Sequence, residues 1–261
     1  MPYSDRAKVY EVEYVEERDF AFVDTLLGAG GFRVLEVPCG AGRLSGRLAR
    51  KAAELTLVDL EPAMVAKAAV AARAANGSVQ IHTEVQDMRT LDLGRRVDLA
   101  IIPREALQLL PPSDGMEALA AVSAHLVEGG LLFVDVATFR AGLGPAAADP
   151  DYFNASREDD AWHVDWTRDL PDGARLTRQS AQRQEAESIL LRLAYEINDK
   201  RHGVESWRSE MRLYRYDPSW FGPATPDGMT LESVFGDYDG SPFSDLSPRL
   251  LAMYRKSNSL S

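Results

Sequence analysis

Between Gly31 and Phe139, short apolar runs alternate with stretches whose apolar residues recur at helical spacing. Arg33–Pro38, Leu55–Asp59, Val79–Glu84, Val97–Pro103 and Gly130–Val136 read as strands. Gly42–Ala53, the alanine-rich Pro62–Ala75 and Gly115–Val127 read as helices between them. Strand–helix alternation predicts a parallel sheet with helices on both faces. The Val97–Pro103 run is apolar on successive positions, as a strand covered on both sides requires.

The pattern changes after Ala141. Gly142–Pro150 is rich in Gly, Ala and Pro and reads as a linker. From Ala161 to Asp217 the text is that of long antiparallel strands: Trp162, Val164 and Trp166 alternate with polar residues, and Pro171-Asp172-Gly173 is a turn signal. Ile189–Ile197 and Ser206–Tyr216 continue in β-rich composition, joined through Asp199–Gly203. Pro218, Gly222, Pro223 and Pro226 oppose a regular helix before Met229. Met229–Phe235 and Arg249–Tyr254 then read as two closing strands, with Asp237–Ser247 between them as a hairpin connection. The expected fold is α/β: a doubly wound, mostly parallel seven-stranded sheet with an antiparallel β-rich insertion after the fifth strand. Three parts follow: an N-terminal segment over 1–30, a core from 31–140 and 218–261, and the insertion over 141–217.

Composition narrows the function. The 261 residues are 45% hydrophobic and 26% charged, which is ordinary for a globular chain with a sizeable core. The formal net charge is −11, and no run of Lys and Arg exceeds two residues, which argues against a nucleic-acid partner. The single cysteine, Cys39, has no internal disulfide partner and no evident base to activate it. His82, His125, His163 and His202 are scattered without metal spacing, so no metal site is expected. The charged N-terminus lacks a signal-peptide pattern and no window suits a spanning helix, so a cytoplasmic protein with no membrane partner is expected. A homodimer is compatible with the sequence.

The chemistry concentrates in Val34-Leu35-Glu36-Val37-Pro38-Cys39-Gly40-Ala41-Gly42-Arg43, a strand running into a Gly-x-Gly turn and then a helix. Glycine serves where the chain turns tightly or backbone approaches a ligand, although such a pair alone is more often a structural turn. Asp59 ends the next strand, where a carboxylate can accept from both hydroxyls of a ribose. A dinucleotide fingerprint would carry a third glycine at Ser45, and Gly46 comes one residue late. Glu36, at the mouth of the loop, would repel a pyrophosphate and suits an ammonium or a sulfonium. S-adenosylmethionine carries both and has no phosphate.

The chain resembles the class I S-adenosylmethionine-dependent methyltransferases, small-molecule branch, over about Tyr10 to Lys256. The resemblance rests on LEVPCGAGR, VDLEPAMVAKA (Val58–Ala68), VQDMRTLDL (Val85–Leu93), HLVEGGLLFVDV (His125–Val136) and the tail Phe235–Lys256, in the family's order. It implies a Rossmann-like fold with S-adenosylmethionine as cofactor. Gly40 and Gly42 would shape the loop under its methionine part, and Glu36 would take the ammonium. Asp59 would bind the ribose with Leu60 against the adenine, and Asp87 would accept from the adenine amino group beside Met88. Arg43 would pair with the ligand carboxylate. Pro38 and Ala41 depart mildly from the family's commoner residues.

The family's Asn/Asp-Pro-Pro-Tyr/Phe motif after the fourth strand is replaced here by Pro103-Arg104-Glu105-Ala106, which disfavours nucleic-acid and protein-amide acceptors. Arg104 and Glu105 either anchor a substrate carboxylate or amine, or form a local ion pair. Tyr10 and Tyr14 lie one helical turn apart, and relatives place such tyrosines in a lid over the active site; simple packing is the alternative. Trp162, His163, Trp166, Tyr195 and Trp207 either build an acceptor pocket or form the insertion's own core, and His163 is the candidate base. The expected reaction is methyl transfer to a nitrogen or oxygen of a small metabolite. Aminocarboxypropyl transfer or cyclisation with the same cofactor, a non-catalytic binding module, and a nicotinamide oxidoreductase are the alternatives.

Overall fold

Leu35, Leu55, Leu57 and Ile101 are fully buried because their strands lie inside a sheet covered on both faces. The computed structural model describes residues 9–13, 17–139, 153–170 and 172–258. Strands β1 (Arg33–Glu36), β2 (Glu54–Asp59), β3 (Gln80–Val85), β4 (Val97–Ile102) and β5 (Leu126–Ala137) run parallel, and β10 (Met229–Phe235) and β11 (Arg249–Lys256) complete the sheet. Its order is β10-β11-β5-β4-β1-β2-β3, with β11 antiparallel to both neighbours. The expected seven-stranded α/β sheet is therefore present. Strand β1 has β2 on one side and β4 on the other, so the chain order reverses there. Such a reversal opens a crevice at the carboxyl ends of the strands.

Helices α1 (Tyr10–Glu13), α2 (Phe20–Leu27), α3 (Ser45–Ala49), α4 (Pro62–Ala75) and α5 (Pro112–Ala124) surround the two sheets. Helix α3 is shorter than the Gly42–Ala53 expectation. Gly42 sits at φ 93°, which no helix accommodates, so winding begins only at Ser45. The same glycine is required by packing: a Cβ there would lie 2.6 Å from the Ala68 Cα of α4. Helix α5 starts earlier than expected, with Pro112 in its first turn, where a missing N–H costs nothing.

The insertion forms a separate antiparallel sheet of β6 (His163–Asp169), β7 (Arg175–Gln184), β8 (Ser188–Asp199) and β9 (Gly203–Tyr214). Leu191, Leu193, Tyr195 and Leu213 on its inner face share one apolar cluster with Val9, next to Val12, Leu109 and Met211. The N-terminal segment is thus divided: α1 packs on the insertion, whereas Phe22, Val23 and Leu27 of α2 join the core of the large sheet. Glu13 fastens α1 to the insertion, its buried carboxylate accepting from Arg178 Nη1 (2.9 Å) and Tyr195 Oη (2.7 Å). The linker 142–150, Pro171 and Tyr14 lie outside the described residues. No described helix is long and apolar enough to cross a membrane.

Gly42→Ala is expected to lower stability by about 2 to 4 kcal/mol, the sum of a left-handed backbone and an overpacked contact. Urea unfolding of the two proteins checks this; equal midpoints would show that α4 yields without cost.

Candidate functional site

A cavity of about 380 Å³ lies at the carboxyl ends of β1, β2 and β4, within the usual size range for small-molecule sites. Glu36, Gly40, Arg43, Asp59, Leu60, Asp87, Met88 and Arg104 all border it, so the structure gathers most of the residues singled out from sequence. Gly42 does not border it and faces α4 instead.

Glu36 ends β1 and is only 1% exposed. The Ser45 hydroxyl donates to its Oε2 at 2.5 Å. Burial pushes this carboxyl up to about 8, partly offset by Ser45 and Arg43 and reinforced by the nearby Asp59 and Asp19. Asp59 ends β2 and accepts from the backbone N–H of Gly40 (2.9 Å) and of Glu61 (3.0 Å). Its carboxylate thereby ties the glycine loop after β1 to the end of β2. Gly40, at φ 50°, supplies the left-handed turn that presents this N–H. Burial raises the Asp59 pKa, against the pull of these backbone donors. Leu60 follows, 63% exposed on the rim. Such an apolar side chain beside a cavity offers a surface for a flat ring.

On the far side of β2, Asp87 caps the 3-10 turn Met88–Thr90. Arg89 grips its carboxylate and holds it below the usual carboxylate range. Arg43 borders the cavity, with its guanidinium engaged by Asp19 through two contacts, one of 2.7 Å, and resting over the Phe20 ring. The expected pairing of Arg43 with a ligand carboxylate would have to share that guanidinium with Asp19.

Arg104 and Glu105, just past β4, both adopt left-handed backbone (φ 30° and 52°), an uncommon conformation for side-chain-bearing residues that concentrates at functional sites. They are held there by Asp135 of β5: its Oδ2 accepts from the Arg104 N–H (3.3 Å) and its carbonyl from the Glu105 N–H (3.0 Å). Fully buried Arg249 pairs with both Asp135 (2.5 Å) and Glu105 (2.7 Å), and Tyr238 donates to Asp135 at 2.7 Å. Leu109, Leu110, Met211 and Leu213 complete this end of the cavity as an apolar wall. Sequence reasoning named none of these four. Their alternation gives a strand or helix but not the direction in which a separate sheet will dock.

The remaining expectations fall elsewhere. His163 opens β6, three strands across the small sheet from β9, and does not border the cavity. Tyr10 opens α1, and Tyr14 lies outside the described residues. Cys39 is buried, and burial beside Glu36 and Asp59 pushes its thiol up, the opposite of what a nucleophile needs. Among the described residues, no group of His, Cys, Asp and Glu is placed to hold a metal ion.

Among the charged residues of the lining, Glu36, Asp59, Glu61, Asp87 and Glu105 outnumber Arg43, Arg89 and Arg104. Arg43 and Arg89 are moreover engaged by acidic partners. Asp87 and Glu105 are likewise engaged by Arg89 and Arg249, which leaves Glu36, Asp59 and Glu61 as the acidic groups of the lining without an arginine partner among these pairs.

Comparison with known proteins agrees with this geometry. Residues 34–130 match the family described as Methyltransferase domain. The chain is 32% identical over 114 residues to a ubiquinone biosynthesis O-methyltransferase of Xanthomonas campestris pv. campestris (strain B100), covering 43% of this chain and 46% of that protein. The match thus spans less than half the length of that curated relative. Among solved structures, an S-adenosylmethionine-dependent methyltransferase from Clostridium acetobutylicum ATCC 824 superposes with a TM-score of 0.73 at 16% identity, covering 98% of this chain and 99% of that one. An amino pentose methyltransferase of calicheamicin biosynthesis from Micromonospora echinaspora, solved with S-adenosylmethionine bound, gives 0.67 at 23% identity, covering 98% of both chains. Residues 34–130 are thus similar to a methyltransferase domain, and the chain as a whole shares the fold of these methyltransferases.

The Glu36 environment predicts a pH dependence. Its folded pKa of about 8 lies above the ordinary 4.5, so between those values the folded protein holds a proton that the unfolded chain has released. Stability of the ligand-free protein therefore falls as pH rises through that window. Glu36→Gln removes this proton and should gain over wild type by an amount on the order of a few kcal/mol once the pH exceeds about 8. Urea midpoints of both proteins from about pH 5 to about pH 9 check it; parallel curves would contradict it.

Proposed function

We propose that this chain binds S-adenosylmethionine and transfers its methyl group to a nitrogen or oxygen of a small metabolite, with an amine nitrogen preferred. The observation that carries the reading is Glu36, a carboxyl withdrawn from water at the end of a central strand and bordering a cavity whose charged lining residues are more often acidic than basic. A buried carboxylate is costly unless a cation meets it. The ligand's ammonium is suited to that place, and Glu36 would ionise as it arrives.

In this reading Asp59 retains acceptor capacity for the ribose hydroxyls beyond its backbone donors. Leu60 and Met88 flank the adenine, and Asp87 accepts from its amino group. When bound, S-adenosylmethionine supplies an electrophilic methyl on sulfur, which takes back the bond pair and leaves as a neutral thioether. The protein's task is then to align an acceptor lone pair with that methyl and keep water out. The strained Arg104–Glu105 corner and the apolar wall of Leu109, Met211 and Leu213 form the acceptor end. Arg104 would supply positive charge for an anionic group of the acceptor, while Glu105, paired with buried Arg249, holds the shape of the corner. The Micromonospora relative is an amino pentose methyltransferase, which agrees with an amine, and the Xanthomonas O-methyltransferase keeps oxygen open.

Calorimetric titration with S-adenosylmethionine, S-adenosylhomocysteine, NAD and NADP tests the cofactor. Only the adenosyl ligands should bind, and Asp59→Ala should weaken them about tenfold or more through lost charge-assisted hydrogen bonds. Preference for a dinucleotide would overturn the reading. With an amine acceptor, mass spectrometry should find S-adenosylhomocysteine; methylthioadenosine instead would signal aminocarboxypropyl transfer.

A further inference from the structure

The Asp87 carboxylate is unusually committed for a residue on a ligand-binding rim. Its Oδ1 accepts from the Arg89 backbone N–H (2.9 Å) and from Arg89 Nε (3.1 Å). Its Oδ2 accepts from Arg89 Nη2 (2.6 Å), and Nε is shared with it at 3.1 Å. The other end of the guanidinium, Nη1, reaches Asp114 Oδ2 in the first turn of α5 at 2.8 Å. One arginine therefore spans two carboxylates on separate elements and locks Asp87 from two directions. A carboxylate has about four lone-pair positions. Arg89 occupies three of them well, which leaves acceptor capacity at Oδ2 on a residue that borders the cavity.

Resting on the proposed cofactor, we infer that Arg89 is a positioning residue that sets selectivity for the adenine base by holding Asp87 as a fixed, acceptor-only carboxylate. An ionised carboxylate can accept from an exocyclic amino group but has no proton to offer a carbonyl. A base with oxygen in place of that amino group meets two acceptors face to face. The discrimination depends on Asp87 staying ionised and in one rotamer. An aspartate is ionised at neutral pH; Arg89 supplies the fixed rotamer, because its fork holds the carboxylate plane. Asp114 supports the arrangement from outside the cavity by holding the guanidinium at its other end. Without Arg89, Asp87 gains rotamer freedom, and its free acceptor position is no longer held in one orientation at the cavity.

The Arg89 side chain is 38% exposed, so its replacement strands no deeply buried charge. The Arg89→Met variant should fold, and a thermal melt verifies this. The experiment is calorimetric titration of wild type, Arg89→Met and Asp87→Asn with S-adenosylhomocysteine and with S-inosylhomocysteine, its deaminated analogue. Wild type should favour the adenine ligand by about tenfold or more, the worth of one charge-assisted hydrogen bond. In Arg89→Met the preference should fall towards unity, as in Asp87→Asn, chiefly through weaker binding of the adenine ligand. If Arg89→Met weakens both ligands equally and keeps the wild-type ratio, Arg89 acts by direct contact with the nucleoside and the inference is overturned. A wild type that binds neither ligand overturns the cofactor reading, and this inference with it.

Discussion

The carboxylate of Glu36 is held out of water at the end of a central strand, and the surroundings of the cavity are organised about that fact. Its close partner is the Ser45 hydroxyl, placed there because α3 starts after the Gly42 turn rather than before it. The nearby positive charge of Arg43 is drawn aside by Asp19 at the start of α2. Asp59 adds a second negative group and fixes the loop through Gly40. A protein gains no stability from such an arrangement, since withdrawal from water and a neighbouring carboxylate both raise the cost of ionising Glu36. The arrangement makes physical sense as a preformed socket for positive charge, in which ligand rather than protein supplies the neutralising partner.

The opposite end of the cavity is organised by a different principle. There Arg249 pairs with Asp135 and Glu105, and the work of these charges is to register elements far apart in sequence. Arg249 on β11 holds Asp135 on β5 and Glu105 after β4, and so keeps two consecutive residues in left-handed backbone. Glu13, Arg178 and Asp165 similarly bind the N-terminal segment to the insertion, whose inner face supplies Met211 and Leu213 to the cavity. Breaking such a buried pair from one side costs about 3 to 5 kcal/mol because a charge is left alone. That end of the cavity is accordingly tied to the large sheet by buried ion pairs, and its outer wall is built by a second sheet docked against it.

Much of this was legible in the residues. Apolar runs such as β4 and the end of β5, alternating with helices, point to the sheet type. The glycine loop and Glu36 are visible because short spacing within one strand–turn–helix unit brings them together, and Asp59 and Asp87 because they stand at or just past the ends of the next two strands. Strand β7 was not named, since RLTRQSAQRQ carries little apolar signal. Its inner face buries Arg178, Ser180 and Gln182 in a polar network rather than in an oily core. The engagement of Arg43 by Asp19 and of Arg249 by Asp135 depends on how remote elements pack, which periodicity does not encode. His163 was attractive as the histidine of an aromatic-rich segment, but which end of the small sheet meets the cavity is a matter of docking. The Asp87–Arg89 pair was within reach, because a carboxylate two residues before an arginine at a turn is a local motif; what no local pattern shows is that Asp114 holds the arginine's other end.

The central claim is that Glu36 awaits a cation, and proton counting tests it most directly. S-adenosylhomocysteine titrated near pH 7 in buffers of differing ionisation enthalpy reports the protons exchanged on binding. A carboxyl pushed up to about 8 in the free protein and ionised by the ligand's ammonium should release close to one proton per ligand. Glu36→Gln should abolish that release. Binding with no proton released, or an equal release in the variant, would contradict the account of the socket.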